Sequence, residues 1–118
     1  MEKSSRAQDL VESATLNFAI GEIEAALNEL DQACDLAPDL FAIHHARAEI
    51  LFSERRFDEA LESAEKAILL SPDDIHIHTT LSRIWMERGN KEKAEHYGAQ
   101  ARMLGWKEEL KQPPPSSI

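Results

Sequence analysis

Between residues 25 and 40 the chain reads AALNELDQACDLAPDL, an apolar face broken by polar positions at helical spacing and closed by a proline. Thirty-four residues on, EALESAEKAILLSPDD (59–74) repeats the pattern, setting Ala60 under Ala26, Leu61 under Leu27, Ala67 under Ala33, Leu70 under Leu36 and Pro72 under Pro38. A further step of 34 gives KAEHYGAQARMLGWKE (93–108), with Ala94, Ala101 and Leu104 in register and Trp106 where proline stood. A fixed period of this size is the mark of a solenoid built from helix–turn–helix units.

Three units follow without insertion, 7–40, 41–74 and 75–108, and each divides into a first helix, a tight turn and a second helix. The turns fall at Gly21, near Arg55 and at Gly89, where glycine offers the backbone freedom a short turn needs. Asn90 is placed to cap the helix after its turn, and Asp39 and Asp73 to cap the first helices that follow the prolines. Pro38 and Pro72 end the second helices because they have no N–H to give. Strand signals are absent. The fold class is all-α, with residues 1–6 as a lead-in and 109–118, containing Pro113, Pro114 and Pro115, as a flexible proline-rich tail.

The helical face poses a question, since Ala60, Ala64 and Ala67 take inward positions where larger side chains would bury more surface. Alanines in the same register in successive units act as spacers that let helices cross closely. Leu61, Ile68, Leu69 and Leu70 are then expected to fill the spaces between crossings.

On the segments IEAA…DQACDLAPDL, FDEA…AEKAILLSPDD and KEKAEHYGAQARML, the chain resembles the tetratricopeptide repeat family over 7–108. The matched features are the family's small residues at unit positions 20 and 27 and its proline at position 32. First helices match less closely: HTTLSRIW (78–85) keeps Leu81, Ser82 and Trp85, HHARAEIL (44–51) keeps Ala48 and Leu51, and LVESATLN (10–17) keeps Ala14. The resemblance implies a short right-handed superhelical solenoid whose first helices line a concave groove.

Charge changes what such a stack offers. The net charge of −9 argues against nucleic-acid binding, which needs a basic face. It is unevenly spread. Unit 1 holds eight acidic residues and no Lys or Arg, unit 2 eight acidic and four basic, and unit 3 four acidic and six basic, so the net runs from −8 through −4 to +2. No apolar run suits a membrane span, and no apolar leader opens the chain. One cysteine, Cys34, leaves no internal disulfide, and together these features favour a cytoplasmic protein.

Function is sought in the groove, since the fold by itself fixes no chemistry. By resemblance, unit positions 2, 5, 9 and 12 face it. Position 12 gives an apolar track of Phe18, Phe52 and Met86; the remaining positions bring His45, Thr79, Glu49, Arg83 and His76. The reading is a non-catalytic scaffold or adaptor that binds a peptide or helix of another protein. Family members that hold a C-terminal carboxylate use Lys and Asn at positions 5 and 9, and here those places hold Val11, Thr15, His45, Glu49, Thr79 and Arg83.

His45, Glu49 and His76 have metal-ligand chemistry, but His44 and His78 fall at position 4, which by the resemblance packs inward, and His76 and His78 point to different faces, so neither metal nor cofactor is expected. The groove histidines also give a route to pH sensitivity. No phosphate loop, HExxH or catalytic Cys/His spacing is present, so an enzyme is not expected. The rival reading is self-assembly into homo-oligomers through the repeat ends. There an acidic first unit meets a basic third one, and Trp106 and Leu110 either fold back as a short cap or make the end-to-end contact.

Overall fold

The computed structural model describes residues 2–111, which form six helices: α1 (Glu2–Ala19), α2 (Ile23–Leu36), α3 (Phe41–Ser53), α4 (Phe57–Leu70), α5 (Ile75–Glu87) and α6 (Lys91–Lys111). They pack as three pairs, α1 on α2, α3 on α4 and α5 on α6. Second helices meet the first helix of the next unit, and α1, α3 and α5 lie side by side along one face. The radius of gyration is 15.9 Å, above the roughly 13 Å of a globule this size, as a stack without a central core requires.

The spacers are where the register puts them. Ala26, Ala60 and Ala94, at unit position 20, and Ala33 and Ala67, at position 27, are buried, as are Ala14 and Ala48 at position 8. Unit 3 shows how close the crossing is. Ser82 takes position 8, and its hydroxyl donates across the helix pair to the Ala94 carbonyl at 2.7 Å. A Cβ on Gly98 would stand 3.3 Å from the Ser82 oxygen, so the smallest residue sits at a close approach of the two helices. Leu30, Ile43, Ile50, Leu51, Ile77, Leu81 and Ile84 supply the bulk of the buried volume. Leu61 and Ile68 pack against this core as expected, but Leu69 is 82% exposed and Leu70 40%. Two residues past Ala67, Leu69 is turned about 200° away from the crossing and faces out.

All three intra-unit turns use a left-handed residue at unit position 15: Gly21 at φ 85°, Gly89 at φ 80° and Arg55 at φ 60°. Asn90 caps α6, its side-chain oxygen accepting from the Lys93 N–H at 3.0 Å. Between units the caps fall one residue later than expected. Asp74, not Asp73, accepts from the Ile77 N–H at 3.0 Å, and α3 starts from Leu40, not Asp39, without a side-chain cap. The turn bonds Leu40 N–H to Ala37 and Asp74 N–H to Ser71 take up the extra residue.

Both terminal helices overrun their repeats. α3 and α5 begin at the first residue of their units, whereas α1 begins five residues before Ala7, the first residue of its unit; residues 2–6 of the expected lead-in are therefore helical. α2 and α4 stop at position 30, whereas α6 runs seven residues past the equivalent Leu104. Trp106 replaces the terminating proline, so nothing stops the helix there. Residues 109–111 of the expected tail are helical, and 112–118, with the three prolines, lie outside the described residues. Trp106 and Leu110 do not fold back as a cap; they ride on the continuation of α6, 67% and 76% exposed.

Candidate interaction groove

Side-by-side packing of α1, α3 and α5 sets their equivalent positions in rows. Between α1 and α3 the rows part around a cavity of about 400 Å³ lined by Val11, Thr15, Phe18, Phe41, Ala42, His45, Ala46, Glu49 and Ile50. Its surface is chiefly hydrocarbon. Phe18 packs against the core behind it, and Phe41 stacks obliquely on His45 with centroids 5.4 Å apart.

The seam between α3 and α5 is closed by polar contacts instead. Glu49 is their hub. The Thr80 hydroxyl, on a buried residue, donates to its Oε1 at 2.7 Å, and Arg83 reaches Oε2 at 3.4 Å. His45 Nε2 stands 3.6 Å from Oε1, beyond a hydrogen bond but within ion-pair range. The His45 imidazole, with the Thr80 hydroxyl and Arg83, outweighs the burial that opposes ionisation and lowers the Glu49 pKa from 4.5 to about 2. Arg83 also lies over the Phe52 ring, 4.4 Å from its centroid, while Phe57 meets that ring edge-on at 5.5 Å.

The Phe18–Phe52–Met86 row thus has three environments along its length. Phe18 opens on the cavity, Phe52 is roofed by Arg83, and Met86 is 57% exposed. His76 stacks on His45 at 6.4 Å, bringing His45, Glu49, His76 and Arg83 together. Thr79 is exposed and donates to the Ile75 carbonyl of its own helix, outside that cluster. Among the described residues no three His, Cys, Asp or Glu side chains converge as metal ligands. Sequence reasoning missed Thr80, which sits in register with Ala46 and reads as a spacer, and missed Phe41 and Ile50 as cavity walls.

The architecture defines a short helical-repeat protein with an open concave side. Two tetratricopeptide profiles overlap along the sequence, the YpiA-like tetratricopeptide repeats over residues 19–68 and a general tetratricopeptide repeat over 51–103. The chain belongs to the tetratricopeptide repeat family. No curated protein matches it. Among solved structures it is similar to MamA, with 22% identity over 91% of this chain and a TM-score of 0.85; it spans 63% of that chain, less than two thirds. The first tetratricopeptide domain of Spaghetti (RPAP3), solved with the HSP90 peptide SRMEEVD, matches at 19% identity over 86% of this chain and 80% of that one, TM-score 0.83. The Yersinia enterocolitica type III secretion translocator chaperone SycD, in an alternative dimer, matches at 17% identity over 86% and 76%, TM-score 0.80. Among the described residues no helix is long and apolar enough to cross a membrane.

Proposed function

We propose that the chain is a non-catalytic adaptor module whose concave side takes an apolar side chain from a peptide or helix of another protein. The observation that carries this reading is the α1–α3 cavity, whose volume of about 400 Å³ falls within the roughly 300–1,000 Å³ of ligand pockets. Val11, Phe18, Phe41 and Ile50 offer burial to a Leu-, Met- or Phe-sized anchor, and Glu49 at the rim disfavours an acidic residue beside it. The similar repeat domain solved with an HSP90 peptide supports the class of partner. The ligand chemistry differs from that peptide's. SRMEEVD is acidic, whereas the one guanidinium in this cluster, Arg83, is already paired with Glu49.

Filling the cavity tests the reading. Ala42 lines it and is exposed, so Ala42→Trp is expected to leave the helical circular dichroism unchanged and to abolish capture of any partner retained by the wild type. Equal capture by both proteins refutes the groove as the binding surface.

A further inference from the structure

We infer that this chain docks head to tail on further copies of itself, α1 of one copy packing on α6 of the next through a contact that prolongs the internal seams. Unit positions 3 and 28 share an apolar cluster wherever two units join. Ile43 (position 3) and Cys34 (28) belong to one apolar cluster at the first seam, and Ile77 (3) and Ile68 (28) to one cluster at the second. At the free faces the same positions hold Asp9 and Arg102, both exposed. A copy added in the repeat's own register therefore sets the Asp9 carboxylate against the Arg102 guanidinium. Units already join by such pairs, Arg47 with Asp31, Arg88 with Asp58 and Arg55 with Glu87.

The overruns fit the same arrangement. α1 starts early and α6 finishes late at the same edge of the stack, where each second helix hands over to the next first helix. Packed antiparallel across two copies, the extra turn of α1 lies along the extra turns of α6. Three residues before Asp9 stands Arg6, and four after Arg102 stands Trp106, 67% exposed. Within the chain, basic side chains cover rings in this way: Lys93 and Arg88 flank Trp85 at 4.2 and 5.5 Å. Leu16, 70% exposed, occupies position 10, where Ile50 and Ile84 are buried in the core cluster. Net charges of −8 on unit 1 and +2 on unit 3 steer the two faces together. The contact is heterologous, so it does not stop at a dimer.

Sedimentation velocity on the full chain decides the matter, run over a range of concentrations at about 20 mM and about 500 mM salt. At low salt the sedimentation coefficient is expected to climb with concentration past that of a dimer, and high salt to weaken association by at least about tenfold. Arg102→Glu and Asp9→Arg should each be monomeric with wild-type circular dichroism. Mixing the two variants restores opposite charges at every junction, and assembly should return. A strict monomer at both salts, a species that stops at a dimer, single reversals that still assemble, or a mixture that stays monomeric would each overturn the inference.

Discussion

His44 Nε2 lies 2.7 Å from the Pro38 carbonyl oxygen, and 34 residues along His78 Nε2 lies 2.7 Å from that of Pro72. A carbonyl only accepts, so Nε2 carries the proton in both rings. Each bond ties the turn leaving one unit to the first helix of the next, and both rings are buried while they do so. The histidines at unit position 4 are therefore latches between repeats.

Removing a latch costs stability without touching the groove. His44→Ala is expected to lose about 1 kcal/mol, the worth of one hydrogen bond, beyond the packing lost with the ring. His44→Gln, which keeps a donor of similar reach, should recover part of the loss. Thermal denaturation of the two variants separates the bond from the packing, and equal melting points for both would show that the bond contributes nothing.

Glu49 makes stability depend on acid. Between its ordinary 4.5 and the folded value of about 2, the unfolded chain binds the proton and the folded chain does not. Its contribution is complete above pH 4.5 and drains away as pH falls towards 2. The side chain is 35% exposed, so water screens the effect to a fraction of the full linkage value. Glu49→Gln should flatten the dependence of the urea midpoint on pH across that window; an unchanged slope assigns the acid sensitivity to other carboxylates.

Arg55 holds a left-handed backbone that its counterparts Gly21 and Gly89 adopt freely. An L-residue there carries roughly 1–2 kcal/mol of strain, part of which Arg55→Gly returns to the unfolded chain as entropy. The lost pair with Glu87 spans 3.7 Å from an Arg55 side chain that is 74% exposed and is worth little. A net gain of about 0.5 kcal/mol is expected, raising the melting temperature by about 2–4 °C. A lower melting temperature would mean that the Arg55 contact with the Phe57 ring, at 5.1 Å, outweighs the strain.

Neighbouring positions on α4 should respond in opposite ways. Ala67→Leu forces three more carbons into a closed helix crossing and is expected to cost about 2–3 kcal/mol. Leu69→Ser, two residues on but 82% exposed, should change the denaturation midpoint by no more than about 0.5 kcal/mol. Comparable losses would place residue 69 in the core.

Phe52→Glu, the obvious groove mutation from sequence alone, should act on stability instead. Phe52 packs on the core and between Phe57 and Arg83, so a charge there is expected to cost about 2 kcal/mol or more. Chemical denaturation measures this directly, and a wild-type midpoint would restore Phe52 as a clean probe of the groove.

Much of the scaffold was legible because one set of spacings recurs three times. The 34-residue step located every helix pair, the crossing alanines and the three turns, including the one made by Arg55 without a glycine. What one helix says about its own face did not reveal how neighbouring units rotate relative to one another. That rotation roofs Phe52 with Arg83, leaves Phe18 beside a cavity and delivers Thr80 to Glu49. Leu69 was misplaced because an unbroken apolar run, Ile68 to Leu70, hides the helical angle. The length of α6 was readable after all: Trp106 stands where the other units break, followed by the helix-forming KEELK before the next proline.

The two joints of the stack also differ as mechanical elements. Glu49 bolts α3 to α5 through Thr80 and Arg83, whereas among the described residues no side-chain hydrogen bond or ion pair spans α1 and α3, which meet through apolar packing beside the cavity. Both joints carry further ties, Arg47 to Asp31 and His44 to Pro38 at the first, Arg88 to Asp58 and His78 to Pro72 at the second, so the difference is confined to the row of first helices. There a load that parts the helices works against polar bonds at one seam and against apolar contact alone at the other, and the two leaves of the spring are unequal.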